Sequence, residues 1–420
     1  MRALTRRQFG AGAGAALAAV AAPRLARAAA KPPVAVIGGG VGGATAARYL
    51  AREGLDVTLI EAKERYVTCF FSDLYLAGLR SLDSLTHGYD RLAQNGGIKI
   101  VHATATGIDP VSKIVSLNNG TKLSYERLVV SPGIAFKFGA IEGYDEAATA
   151  VMPHAWMAGP QTELLRKQLE AMEDGGTFVI AIPPDPFRCP PGPYERASLA
   201  AHYFKQNKPH SKIIVLDAKD AFKAQELFEE AWARRYPGMI EWLPMQFTGG
   251  VKAVDVKGGV VVAANARFPA AVANIIPAQM AGQPAEAAGL TDKSGWCPVD
   301  PVTFASKLQP DIHVIGDAAI GGDMPKSAFS ANTQAKTCAF AIAAALNGTP
   351  PAAAHLFNSC YTFLGPDDAF TNAINFAPVD GKLKMTDFFI SKVNATTQER
   401  RRMAAEAGGW YQAFMRDVFG

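Results

Sequence analysis

A glycine-rich turn between two short apolar strands constrains the fold of this chain more than any other feature. Val34–Ile37 is typical of a buried strand, and Gly38-Gly39-Gly40-Val41-Gly42-Gly43 follows it directly. The next residues predict a helix, and Val57–Glu61 predicts a second strand that ends in a carboxylate. Strand, turn, helix and acidic residue together indicate a βαβ unit that binds a dinucleotide.

Four residues of this unit have separate expected roles. Gly38 allows the tight turn, and Gly40 lets a pyrophosphate approach the backbone. Gly43 lets the helix pack on the strand, and the helix N-terminus faces the phosphates. Glu61 is placed to bind ribose hydroxyls.

Two later strand ends complete the pattern. Leu128–Gly133 predicts a strand that ends in a small-residue turn, and Asp311–Asp317 predicts another that ends in Gly-Asp. In this order, after a dinucleotide fingerprint, they resemble the two-domain FAD disulfide reductases. Ser131, Gly133 and Gly316 are then expected at the cofactor. Asp317 is expected to bind the ribityl chain, and a plain helix N-cap is the alternative role.

A second βαβ unit reads as a degenerate copy of the first. Its strands are Thr177–Ile182 and Lys212–Asp217, with a helix between them. Pro183, Pro184 and Pro186 stand where a glycine-rich turn for NAD(P)H is expected. Proline lacks the N–H group that cradles a phosphate and fixes φ. The second nucleotide site is therefore predicted to be disabled, with Cys189 close to it.

The fold class predicted is α/β, with two Rossmann-like dinucleotide-binding domains of the disulfide-reductase type and a small C-terminal α+β domain. The FAD domain is assigned to residues 31–152 and 274–350, and the degenerate NAD-like domain to residues 153–273. Residues 351–420 are rich in aromatic side chains and are assigned to the third domain, which binds flavin or forms an interface.

The first thirty residues resemble an export signal. Arg6-Arg7 begins a twin-arginine pattern, a short Ala/Gly-rich run follows, and Ala26-Arg27-Ala28 offers a cleavage site. This segment holds five arginines and no acidic residue, so the remainder carries 37 basic against 38 acidic side chains. Charge therefore gives no support for nucleic-acid binding. The expected location is the periplasm, after export in the folded state.

Five cysteines follow the export signal, and their spacing contains neither CxxC nor CxxCH. No haem is therefore expected on this chain, and the scattered histidines show no metal-ligand spacing. An odd number of cysteines in an exported chain requires one that is free, modified or bonded to another molecule.

Several stretches resemble the flavoprotein subunit of flavocytochrome c sulfide dehydrogenase along nearly the whole chain. They are Tyr66-Val67-Thr68-Cys69, the run from Cys189 to Ser198 (CPPGPYERAS), Pro325-Lys326-Ser327 and Thr337-Cys338-Ala339. The resemblance implies FAD attached through its 8α carbon to Cys69. It also implies a redox-active disulfide between Cys189 and Cys338.

The same resemblance assigns further site residues. Glu195 is implied as an acid/base, and its alternative is a solvated carboxylate at a helix start. Lys326 lies in a matching stretch and Trp410 is implied beside the flavin ring. Cys297 and Cys360 receive no role, and either packing or a second structural disulfide remains open for them.

The implied activity is oxidation of hydrogen sulfide to sulfane sulfur or polysulfide. Hydrosulfide attacks the disulfide, flavin takes the electrons, and a c-type cytochrome subunit forms a heterodimer with this chain and accepts them. One alternative is a sulfide:quinone oxidoreductase, but the final stretch from Gln398 is mixed in polarity, so no stable membrane insertion is expected. An NAD(P)H-dependent reductase and a non-enzymatic accessory flavoprotein of a sulfur-oxidation complex are the others.

Overall fold

The computed structural model of the protein describes residues 31–420. The expected twin-arginine signal lies in residues 1–30 and so falls outside the described residues. Residues Pro32–Gly420 form one compact unit. No helix within residues 31–420 is both long and apolar enough to cross a bilayer.

The strands are named in chain order as β1 (Pro33–Ile37), β2 (Asp56–Ile60), β3 (Arg65–Val67), β4 (Thr86–Gly88), β5 (Lys99–Val101), β6 (Ala105–Asp109), β7 (Ile114–Leu117), β8 (Lys122–Ser124), β9 (Arg127–Val130), β10 (Ile134–Phe136), β11 (Thr177–Ile182), β12 (Lys212–Asp217), β13 (Ile240–Leu243), β14 (Val251–Asp255), β15 (Val260–Ala263), β16 (Arg267–Pro269), β17 (Val272–Ile275), β18 (Gln279–Ala281), β19 (Ile312–Val314), β20 (Leu356–Gly365), β21 (Asp368–Val379) and β22 (Lys382–Ile390).

The α-helices are α1 (Val41–Arg52), α2 (Ser72–Leu76), α3 (Asp90–Gly96), α4 (Pro160–Ala171), α5 (Gly192–Asn207), α6 (Gln225–Arg235), α7 (Met245–Thr248), α8 (Gln283–Ala287), α9 (Ala328–Leu346) and α10 (Thr397–Phe419).

The first sheet has the strand order β19-β9-β1-β2-β5, and all its pairs are parallel. Its central strand β1 is buried along almost its whole length, as expected for a strand covered on both faces. Parallel pairing brings the carboxyl ends of β1, β9 and β19 to one edge. Ligands of open α/β sheets bind outside that edge.

The second sheet is the parallel set β13-β12-β11-β17. The long helix α5 connects β11 to β12 and packs against both. The predicted second βαβ unit is therefore present, with β11 and β12 at the residues expected.

The C-terminal segment folds as the antiparallel sheet β20-β21-β22 followed by α10. A capping box between Thr396 and Glu399 begins α10, which packs against β20, β21 and α1. The α/β class with Rossmann-like units is confirmed. The division into domains at residues 152, 273 and 350 stays a prediction.

Candidate active site

The glycine-rich turn is tightly packed at the carboxyl end of β1. Gly38 has a φ of 95°, and a Cβ there would lie 2.2 Å from the carbonyl oxygen of Ser131. A Cβ on Gly43 would lie 1.7 Å from the Gly38 carbonyl oxygen. Gly40 is less crowded, because the nearest atom to its added Cβ is on the Tyr66 ring at 3.6 Å. The turn thus lets a pyrophosphate approach the start of α1.

Glu61 lies where the sequence placed it, just after β2. Its Oε2 accepts a hydrogen bond from the Gly39 N–H at 2.6 Å, and the Tyr89 hydroxyl donates to the Gly39 carbonyl at 3.0 Å. The carboxylate is half-buried beside the glycine turn. This position suits a contact with ribose hydroxyls.

The turns after β9 and β19 meet the glycine turn. Ser131 Oγ would lie 2.7 Å from a Cβ on Gly42 and 3.5 Å from one on Gly316. Gly133, with a φ of 66°, carries the chain onward from this edge. Asp317 lies in the short 3₁₀ turn Gly316–Ala318, and burial raises the pKa of its carboxyl group. Its carboxylate lies 3.8 Å from the Arg188 guanidinium.

The ammonium group of Lys326 binds other groups of the protein. Its Nζ donates to the carbonyl oxygens of Asp317 at 2.6 Å and Ala319 at 3.0 Å, and it lies 3.7 Å from the centre of the Trp296 ring. Burial lowers its pKa to about 8. Lys326 therefore braces the turn that carries Asp317, which is an indirect contribution to a cofactor site.

Cys69 and Trp410 line one small cavity of about 40 Å³. An aromatic cluster joins their two segments, since Phe70 and Phe71 of the Cys69 loop contact Trp410 and Tyr411 of α10. The indole Nε1 of Trp410 is buried without a hydrogen-bond partner in the described part of the chain. An orphaned donor beside Cys69 fits a polar ring system such as isoalloxazine.

Cys189 lies in a turn that is fixed from several sides. Its φ is 55°, its N–H donates to the Lys326 carbonyl at 2.8 Å, and its own carbonyl accepts from Gly192 at 2.9 Å. A Cβ on Gly192 would lie 2.8 Å from the Trp156 ring and 3.1 Å from Cys189 Sγ. A side chain at position 192 would therefore displace either the ring or the sulfur.

The structure brings Cys189 together with Cys360 rather than with Cys338, the partner that the resemblance implied. Cys189 and Cys360 line the same two cavities, and the nearby Cys360 charge contributes, after burial, to the raised pKa of Cys189. Cys338 is fully buried on α9, which packs against α1, and burial alone raises its pKa. Within residues 31–420 all five cysteines are thiols.

The two thiols separate an inner space from an outer one. The inner space is the small cavity that Cys69 and Trp410 share. The outer cavity holds about 600 Å³ and has a mostly apolar lining from β20, β21 and β22, including Phe370, Ile374 and Phe376. A small apolar or weakly hydrated reactant in the outer cavity can thus reach the sulfurs.

Glu195 lies in the first turn of α5, beside both thiols. Its Oε1 accepts a hydrogen bond from the Phe363 N–H at 2.8 Å, and only 8% of the residue is exposed. Burial raises its pKa well above the usual value, and the neighbouring Asp73 raises it further. The alternative of a solvated helix-start carboxylate does not agree with this burial. A group of this kind can hold a proton close to sulfur.

Replacing Glu195 by glutamine is expected to stabilise the protein more at pH 8 than at pH 5. Because the folded-state pKa of Glu195 is raised, the wild-type protein loses stability as pH rises above the ordinary glutamate value. Glutamine keeps the acceptor for Phe363 and cannot ionise. Denaturant unfolding at the two pH values measures the difference, and an equal effect at both would contradict the burial of a titrating carboxyl.

Two charged residues that the sequence reasoning missed support this site. Arg196 is 2% exposed, and its Nε donates to Asp73 Oδ1 at 2.8 Å. Its other nitrogens donate to the Asn274 side chain at 2.8 Å and to the Ala155 carbonyl at 2.8 Å. The guanidinium also lies 5.0 Å from the centre of the Trp156 ring. Arg196 thereby holds the segment that packs against the Cys189 turn.

The second nucleotide site lacks its usual partners. The side chain of Asp217, at the end of β12, is fully buried. Its carboxylate accepts hydrogen bonds from Tyr194 at 2.5 Å, Trp242 at 3.0 Å and Lys219 at 2.7 Å. Asp217 is therefore not free to bind a ribose. A cavity of about 830 Å³ remains beside Pro184 and Pro186.

The fold and the site define a flavin-dependent oxidoreductase of the disulfide-reductase superfamily. The pyridine nucleotide-disulphide oxidoreductase family matches residues 32–168. The central region of the sulfide dehydrogenase [flavocytochrome c] flavoprotein chain matches residues 162–277, and the flavin-binding region of flavocytochrome c sulphide dehydrogenase matches residues 352–419. The chain belongs to the flavocytochrome c sulfide dehydrogenase flavoprotein family, and FAD is its cofactor.

Individual relatives agree with this assignment. The sulfide dehydrogenase [flavocytochrome c] flavoprotein chain of Chlorobaculum thiosulfatiphilum is 50% identical over 42 residues, which is 10% of this chain and 88% of that sequence. The mitochondrial sulfide:quinone oxidoreductase of Mus musculus is 24% identical over 318 residues, 72% of this chain and 68% of the relative. The solved sulfide:quinone oxidoreductase of Aquifex aeolicus has a TM-score of 0.73 at 18% identity, covering 92% of this chain and 91% of that one.

Proposed function

We propose that this chain is a periplasmic sulfide dehydrogenase flavoprotein that oxidises hydrosulfide at a Cys189–Cys360 disulfide. The observation that carries the proposal is the position of the two thiols between the Cys69–Trp410 cavity and the outer apolar cavity. One side offers access to a small reactant, and the other side faces the cofactor residues. The family assignment supports sulfide as that reactant.

The reaction begins with the working disulfide between the two residues. Hydrosulfide attacks one sulfur, the Cys–Cys bond breaks, and the products are a persulfide on one residue and a thiolate on the other. Glu195 lines the same small cavity as the two sulfurs and can hold a proton beside them. FAD, when bound, takes up the electron pair and passes single electrons to an external acceptor.

The cofactor residues divide into three groups. Gly38, Gly40 and Gly43 bind the pyrophosphate and Glu61 the ribose. Ser131, Gly133, Gly316 and Asp317 line the remaining part of the cradle. Cys69 would carry the covalent bond to the flavin, and Trp410 would line the space for its ring.

The proposed acceptor is a c-type cytochrome subunit, and the proposed product is sulfane sulfur or polysulfide. The name of the matching flavoprotein family supports the cytochrome. The names of the mouse and Aquifex relatives support quinone as the second candidate acceptor. A direct comparison of the two acceptors separates the candidates.

An anaerobic titration of the FAD-loaded protein with sulfide tests the proposal. We expect sulfide to bleach the flavin absorbance and NADH to leave it unchanged, because prolines stand where a phosphate-binding turn is expected and Asp217 is already hydrogen-bonded. The sulfide-reduced protein is then mixed with cytochrome c or with a short-chain quinone. Faster reoxidation by quinone would favour the second acceptor, and bleaching by NADH alone would contradict the proposed function. An accessory flavoprotein would respond to neither reductant.

A further inference from the structure

Thr362 presents a buried hydroxyl group next to one of the two sulfurs. It lies two residues after Cys360 on β20, so both side chains point to the same face of the sheet. The residue is fully buried, and its Oγ1 makes no well-formed hydrogen bond within residues 31–420. Burying an unsatisfied hydroxyl is unfavourable. The unpaired hydroxyl lowers the stability of the folded protein, so we look for a hydrogen-bond acceptor that forms beside it during the reaction.

The two sulfurs have different surroundings. Burial is the largest cause of the raised pKa at both. Cys189 is also opposed by negative charge on Cys360, Cys69, Glu195 and Asp73. For Cys360, burial with opposing charge on Glu195 raises the pKa to about 12, although the neighbouring Thr362 hydroxyl lowers it. Negative charge is thus better accommodated on Cys360.

We propose that the Thr362 hydroxyl donates to the Cys360 sulfur when it becomes a thiolate, so that Cys360 is the leaving sulfur and the persulfide forms on Cys189. The proposal rests on the disulfide function described above. Thr362 touches a reacting atom in this assignment and is therefore a catalytic residue. The hydroxyl has no strong acceptor while Cys360 is bonded or protonated, and it gains a charged one when the disulfide opens.

The step balances without any further reactant. The sulfur of HS⁻ bonds to Cys189 Sγ while the bond from Cys189 Sγ to Cys360 Sγ breaks. The bonding pair moves to Cys360 Sγ, giving Cys189–S–SH and the Cys360 thiolate. Hydrosulfide is oxidised by two electrons and the disulfide is reduced by two. A leaving thiolate whose thiol has a lower pKa departs faster, so a hydrogen bond from Thr362 that lowers the pKa of Cys360 speeds the step.

The variants Thr362→Val and Thr362→Ser test the role of the hydroxyl. Valine has nearly the shape of threonine without the donor, and serine keeps the donor. Thr162→Val is the matched control, because the Thr162 hydroxyl on α4 is also fully buried and unpaired. We expect sulfide-driven flavin reduction in the FAD-loaded protein to slow about ten-fold or more in Thr362→Val. Thr362→Ser and Thr162→Val should stay within about three-fold of the wild type.

Two further measurements make the test independent of turnover. In the reduced protein, without sulfide, alkylation of Cys360 at varied pH should show a higher thiol pKa in Thr362→Val than in the wild type. The groups facing the sulfurs, namely Glu195, Asp73, Arg196, Arg188 and Cys69, are the same in both proteins. After one equivalent of sulfide, mass spectrometry of alkylated peptides should find the extra sulfur on the Cys189 peptide.

The outcomes separate this proposal from the proposed function. If sulfide does not reduce the wild-type flavin, the function fails, and the alkylation experiment still decides whether Thr362 stabilises the thiolate. If sulfide reduces the wild type but Thr362→Val has unchanged rate and unchanged Cys360 titration, the role of Thr362 is wrong. An extra sulfur found on the Cys360 peptide would overturn the assigned direction of cleavage.

Discussion

Replacing Cys360 by alanine is expected to slow sulfide-driven reduction of the flavin about a thousand-fold or more, to the same degree as replacing Cys189. Each change removes one sulfur of the proposed disulfide, and residues that act as a unit lose most of their effect when either is lost. Stopped-flow absorbance of the FAD-loaded variants under anaerobic conditions measures the rates. The cysteine pair also predicts that the double variant is no slower than either single one.

Cys338→Ala is the matched control for this experiment. Cys338 is fully buried on α9 and lines neither of the cavities that Cys189 and Cys360 share, so its loss should cost about 1 kcal/mol of stability and leave the rate within about two-fold. A normal rate in Cys360→Ala together with a lost rate in Cys338→Ala would restore the pairing that the sequence suggested. Retained FAD in every variant shows that the cofactor site is intact.

Local patterns predicted the strands and the helix around the glycine turn correctly. The glycine turn, β1, α1 and β2 depend on short-range rules, because a strand, a positive φ at Gly38 and a helix start are encoded within a few residues. The same short-range rules predicted β11, β12 and the proline-rich turn between β11 and α5. In addition, the structure shows that the Asp217 carboxylate already accepts hydrogen bonds from Tyr194 and Trp242, which the sequence alone could not reveal.

The partner of Cys189 was beyond the reach of such rules. Cys338 and Cys360 both follow the Gly-Asp strand end, and only tertiary packing decides which one faces the cavity. Cys338 is fully buried on α9, whereas Cys360 lies on β20, which packs against α5. The run Asn358, Cys360 and Thr362 has the two-residue period of one strand face, which is the signal that could have favoured Cys360.

The buried pair of Asp73 and Arg196 was missed for a similar reason. Arg196 directly follows Glu195 in the CPPGPYERAS stretch, but its partner Asp73 lies on α2, 123 residues earlier in the sequence. Charged side chains are rarely buried without a partner, so a charged residue within an apolar helix start signals an ion pair without naming the second member. The structure identifies Asp73 as the second member of the ion pair with Arg196.

Replacing Arg196 by methionine is expected to lower the free energy of unfolding by about 3–5 kcal/mol. The change leaves the Asp73 carboxylate buried without its counter-charge, and it removes donors from the Asn274 side chain and the Ala155 carbonyl. Denaturant unfolding of the FAD-loaded protein measures the loss. Arg401→Met is the matched control, because that arginine is 65% exposed and its contact with Asp367 is 3.4 Å long, so about 0–1 kcal/mol is expected.

The double variant Asp73→Leu/Arg196→Met separates charge from shape. If the cost of Arg196→Met comes from an uncompensated buried carboxylate, removing that carboxylate should recover a large part of the lost stability. Sulfide-driven flavin reduction should be slower than in the wild type in both Arg196→Met and the double variant, because Trp156 and the Cys189 turn have lost the guanidinium that holds the neighbouring backbone. Recovery of both stability and rate would mean that Arg196 serves only to neutralise Asp73 and has no part in positioning Cys189.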